Sequence, residues 1–137
     1  MKHFNWLLLV AALLIGSVVA GNVDPAQSAT VSKENEVRAL ALQWFLQMQA
    51  GRIDRTQYTP AYGASLTDDA VKAMSHHLSE YGASPKRAEI LDRRSAGAQT
   101  FYMVKLIFPR GDAASVLMGL DAEGKITAIS IVTMAGD

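Results

Sequence analysis

Apolar residues along the chain form first a continuous run, then a helical rhythm, then an alternating one. The run is "FNWLLLVAALLIGSVVA", residues 4–20. From residue 33 the spacing becomes helical. Val37, Leu40, Ala41, Trp44 and Met48 share one face, which predicts a helix from Lys33 to about Ala50, capped by Ser32 and stopped by Gly51. Glu34 and Arg38 support it as an i,i+4 pair in the favourable order. Leu42 and Leu46 lie almost opposite the stripe, with Phe45 on one flank, so this helix has apolar residues on two sides. "GRIDRTQY" reads as a connection. Thr59-Pro60 then pairs a capping hydroxyl with proline at a first helical position, giving a short helix "PAYGASL". Thr67 caps a third helix, "DDAVKAMSHHLSEY", whose stripe is Val71, Met74, Leu78 and Tyr81, with Gly82 after it.

After Pro85 the period becomes that of strands. "RAEILDRRS", "QTFYMVKLIF", "ASVLMGLD" and "ITAISIVTM" are predicted strands, the last three joined by the turns "RGDA" and "DAEGK". Successive hairpins make an antiparallel meander. The expected fold class is α+β, with N-terminal helices packed on one face of a curved antiparallel sheet of about four strands.

The opening run changes where this domain is expected to work. Lys2 and His3 precede it, and Val18 and Ala20 close it with the small residues a signal peptidase reads. Residues 1–20 are therefore expected to be a signal peptide cleaved after Ala20. A retained leader acting as an anchor is the alternative, because the run sits at the short limit of a bilayer span. "GNVDPAQSATVS", residues 21–32, reads as a flexible lead-in, and residues 33–137 as a single domain. The chain has no cysteine, so neither a disulfide framework nor a lipoprotein attachment is open to it. Export without disulfides suits a periplasmic or secreted bacterial protein. Basic and acidic residues balance at 13 each, and losing Lys2 with the leader leaves one more acid than base. That balance argues against a nucleic-acid partner.

The helix "ALQWFLQMQAGRID", a second helical segment and a meander whose last turn is "LDAEGKI" resemble the nuclear-transport-factor and ketosteroid-isomerase-like superfamily. The resemblance implies a cystatin-like fold, with helices packed into the curve of a bent sheet and the cone between them available as a ligand pocket. It also implies pairing of two copies through the open sheet face. That superfamily includes isomerases, dehydratases, transport factors and exported domains, so the fold alone assigns no reaction.

Candidate chemistry is sparse. His76 and His77 point about 100° apart on a helix and cannot face one ion together, so no metal is expected. Arg110-Gly111-Asp112 reads as a hairpin turn in which glycine supplies positive φ. Lys86, Arg87, Arg93 and Arg94, interleaved with Glu89 and Asp92, read as edge-strand protection. Isomerase-like or hydratase-like catalysis needs a carboxylate base in an apolar cavity. Here Asp68, Asp69, Asp121 and Glu123 belong to caps and turns, and Asp54 follows the first helix. No glycine-framed serine elbow is present.

A non-catalytic binding or interaction domain without a cofactor is the expectation, with an isomerase-like or hydratase-like enzyme as the alternative. Trp44, Tyr58, Tyr62, His77, Tyr81 and Tyr102 are the pocket candidates; the competing reading is that these residues fill the core. Partners in view are a small molecule or an envelope protein. A homodimer is also expected, with Phe101, Met103 and Ile107 at its seam, because the strongest strand is apolar on one face and, interrupted by Lys105, mostly apolar on the other.

Overall fold

The computed structural model describes residues 25–135. The expected signal peptide 1–20 and the first residues of the lead-in lie outside the described residues. Glu34–Asp137 form one compact unit and Met1–Lys33 another, of which only the start of the first helix is described.

Helix α1 runs Pro25–Gln49 and so takes in Ser32, which the sequence suggested as its cap. Pro25 is a suitable first residue, because its fixed φ is helical and its missing N–H is not needed there. No glycine or second proline interrupts the chain between it and Ser32. The far end is a Schellman turn. Gly51 takes φ 75°, and the N–H groups of Gly51 and Arg52 donate to the carbonyls of Met48 (3.0 Å) and Gln47 (2.8 Å).

The two short helices form where their caps are written. Helix α2, Pro60–Ser65, starts with the Thr59 side chain accepting from Tyr62 N, and helix α3, Asp68–Ser79, with Thr67 Oγ1 accepting from Ala70 N at 3.1 Å. Two acids, Asp68 and Asp69, sit in the first turn of α3, where the helix dipole favours them. Thr67→Ala is expected to cost about 1 kcal/mol, seen as a lowered denaturation midpoint at unchanged slope; an unaltered midpoint would show that the cap contributes nothing.

The strands β1 (Arg87–Ala96), β2 (Gln99–Ile107), β3 (Ala113–Leu120) and β4 (Ile126–Ala135) pair antiparallel in the order β1-β2-β3-β4. Tyr102 faces Met118, Val104 faces Val116 and Leu106 faces Ala114, and these alternate residues turn to the core. Opposite rows such as Met103↔Leu117 turn away from it. Bulges between Ile90 and Asp92 and beside Gly119 shift the register of both edge strands.

One core cluster joins the inward sheet face to Val37, Ala41, Trp44, Phe45 and Met48 of α1 and to Val71 and Leu78 of α3. Its composition settles the two-sided character of α1. Phe45 is not at a flank but fully buried, at 0% exposure. Leu42 packs against the core, as does Ile53 of the following segment, while Leu46 remains 49% exposed.

Candidate functional site: an apolar cavity between helices and sheet

Part of the core is closed by aromatic rings. Tyr81 stacks on Phe108 at 4.7 Å between centroids, and Phe45 meets both edge-on at 5.5 and 5.3 Å. Trp44 touches Phe45 edge-on at 6.2 Å. The indole also walls a cavity of about 90 Å³. Trp44 and Met48 of α1, Tyr62 of α2, Leu66 of the α2–α3 link, Ala70, Val71 and Met74 of α3, and Ile129 of β4 complete the lining. Trp44, Met48, Val71 and Ile129 are buried and make its floor. Tyr62, Leu66, Ala70 and Met74 are half-buried and make its mouth.

The mouth is held by the segment that reads as a mere connection in the sequence. Asp54 caps a 3-10 turn, Arg55–Gln57, by accepting from Thr56 N at 3.0 Å. Arg55 then donates to the carbonyls of Gly63, which also accepts from Leu66 N, and of Leu66, the second at 2.8 Å, tying down the end of α2. Gly63 lies against the Tyr58 side chain, 3.6 Å from where a Cβ would stand. Thr59 N donates to Ile126 O at 3.0 Å, and the Tyr62 hydroxyl donates to Ile129 O (3.1 Å) and accepts from Ile129 N (3.3 Å). These bonds dock α2 along the outer edge of β4. They also occupy the Tyr62 hydroxyl.

Two polar groups near the cavity stand out. The Trp44 indole N–H is buried without a hydrogen-bond partner. Burial pushes the Tyr58 hydroxyl up from 10.0 to about 12; the Tyr62 hydroxyl adds to the shift, and the Trp44 N–H, near the Tyr58 hydroxyl but short of a full hydrogen bond, opposes it. The folded chain thus keeps this proton at pH values where the unfolded chain releases it. The associated stability is complete below pH 10.0 and is expected to fall as pH rises toward about 12. Denaturation midpoints across that window check the point. Tyr58→Phe should flatten the decline, and an equally steep fall in that variant would assign it to other groups.

Of the expected pocket residues, Trp44 and Tyr62 line the cavity, and Tyr58 stands behind them with its ring 5.9 Å from that of Tyr62. Tyr81 and Tyr102 are buried in the core cluster. His77 is exposed in the last turn of α3, as is His76. Leu66, Ala70, Val71 and Met74 escaped the sequence reading as pocket residues, because helical stripes mark burial and not the gaps left by packing.

Elsewhere the acids are tied to local structure. Asp121 Oδ1 accepts from Glu123 N at 2.9 Å and Lys125 N at 2.8 Å, and Asp92 accepts from Arg93 N and Arg94 Nε. Arg110-Gly111-Asp112 forms the β2–β3 turn, with Gly111 at φ 96°. Among the described residues no group of three or more His, Cys, Asp or Glu is placed to hold a metal ion. No helix of the described residues is long and apolar enough to cross a membrane.

On the sheet face away from the core, Phe101, Met103 and Leu117 are half-buried and Ile107 is buried. The Phe101 ring lies over Gly119, where a Cβ would come within 2.8 Å of it. Asp92 and Arg94 flank this face and pair at 3.0 Å, and Arg87 pairs with Glu89 beside them. No protein-family model matches the chain, and no curated protein or solved structure matches it.

Proposed function

We propose that this is an exported, periplasmic binding domain of the nuclear-transport-factor and ketosteroid-isomerase-like type, with a cystatin-like cone and no catalytic activity. Its ligand site is the cavity beside Trp44. The observation that carries this reading is an apolar space bordered by three helices and a strand, with no charged side chain in its lining. Binding sites are typically concave and apolar with a few polar groups. Support for the superfamily is the order of three helices followed by a four-strand meander with one buried face. Support for export is the sequence of residues 1–20 alone. The alternative, an isomerase-like or hydratase-like enzyme, requires a carboxylate facing the cavity, and none of the lining residues is acidic. Native mass spectrometry of the protein taken from its own envelope tests the reading. A bound small molecule is expected; a bare chain, or one carrying only another protein, would overturn it.

The same reading gives the open sheet face to a second copy of the chain. Phe101, Met103 and Leu117 offer an apolar strip, flattened where Phe101 covers Gly119, with half-buried Lys105 beside it and Ile107 already buried within the chain. The charges on and beside it, Lys105, Arg87, Glu89, Asp92 and Arg94, are of both signs, so a copy of the same face meets no uniform repulsion. Sedimentation at micromolar concentration is expected to give a dimer, and Met103→Asp a folded monomer. A wild-type monomer whose mass Met103→Asp leaves unchanged would sink the pairing.

A further inference from the structure

Resting on the binding reading above, we infer that the cavity takes the uncharged end of an aliphatic chain, about three or four carbon atoms long, from an amphiphile whose remainder stays outside. Size sets the first limit. The space is about 90 Å³, whereas a cavity known to hold benzene is about 150 Å³. The guest is therefore a small apolar group, and a flexible chain end adjusts to such a space where a rigid ring cannot.

Charge sets the second. The lining contains no Lys, Arg, His, Asp or Glu, so a carboxylate or ammonium would enter with no counter-charge, and that burial is strongly unfavourable. The walls also suit a flexible guest, because the unbranched thioethers of Met48 and Met74 adapt to a chain more readily than branched side chains do.

The arrangement of floor and mouth supplies the direction. Buried Trp44, Met48 and Val71 close the inner end, and half-buried Leu66, Ala70 and Met74 border the outer one. A chain therefore enters tip first past α3 and leaves its polar head in solvent. The Tyr62 hydroxyl is engaged by Ile129, and the Trp44 N–H lies near the Tyr58 hydroxyl behind the lining. The part of the chain inside the cavity is accordingly hydrocarbon.

The test uses straight-chain alcohols from ethanol to octanol on the mature protein, read by the NMR shift of the Trp44 indole N–H. Each methylene that enters the cavity should tighten binding about fourfold. The gain should stop near butanol, with longer alcohols binding equally well. Benzyl alcohol should bind far more weakly than butanol, hexanoate should bind because its carboxylate stays in solvent, and Ala70→Leu, which narrows the mouth, should abolish the response. Met74→Phe fills the same space from one turn further along, so the test stands if Ala70→Leu fails to fold. Binding of benzyl alcohol as tight as that of butanol, and lost in Ala70→Leu, would overturn the aliphatic class but leave the site. Weaker binding beyond butanol would overturn the tip-first chain in favour of a whole small molecule. If no probe moves the indole resonance, the binding reading itself falls.

Discussion

Replacing Trp44 with alanine is expected to cost about 3 to 5 kcal/mol, the range for removing a large buried aromatic side chain. The indole is 1% exposed and belongs to the central cluster. Two features place the cost at the upper end. The void left by the indole opens into the existing cavity, so the surroundings have less matter with which to collapse inward. Trp44 also connects the ring cluster to that cavity through its contact with Phe45. Against a total stability of about 5 to 15 kcal/mol, such a loss leaves a marginal fold.

Trp44→Phe should behave differently. It keeps a ring and removes a buried N–H that has no partner, so part of the lost packing is offset by a desolvation cost no longer incurred. Guanidinium denaturation of both variants measures the difference. Near-equal losses would mean that the indole N–H meets a partner in solution. Trp44 is the only tryptophan after position 6, so blue-shifted emission from the mature chain independently reports its burial.

Most of the fold is legible because its signals are local. Thr59-Pro60 and Thr67-Asp68-Asp69 fix two helix starts within three residues of sequence each, and both caps form. The alternation of Tyr102, Val104 and Leu106 against Phe101, Met103 and Lys105 fixes which way β2 faces, since side chains alternate strictly along a strand. The start of α1 is less determinate. Ser32 has the chemistry of a cap, but Ala26 to Val31 continue a helix equally well, and Pro25 can begin one.

The site is harder to read. Arg55 reaches carbonyls eight and eleven residues away, and Tyr62 bonds Ile129 across 67 positions, so no periodicity announces either contact. His77 borders the α3 stripe in projection. Its neighbour Leu78 takes the buried direction, and the next side chain back points about 100° away, into solvent. Met74 lies on the stripe yet is half-buried, because the space it faces is the cavity.

Phe45→Ala is the second change expected to cost about 3 to 5 kcal/mol. In projection along α1, Phe45 lies beside the stripe; in the fold its ring touches Trp44, Tyr81 and Phe108. All three contacts are edge-on, an arrangement that places positive ring edges against negative faces and adds to the area buried. Removing the ring therefore loses hydrophobic transfer and three oriented contacts together. Tyr81 and Phe108 remain stacked at 4.7 Å and cannot both move into the gap without breaking that stack. Phe45→Leu preserves most of the volume and none of the ring geometry, so its smaller loss isolates what volume alone contributes. Urea denaturation of Phe45→Ala, Phe45→Leu and wild type gives both quantities. A loss under about 1 kcal/mol in Phe45→Ala would return Phe45 to the helix flank and leave the two-sided helix unexplained.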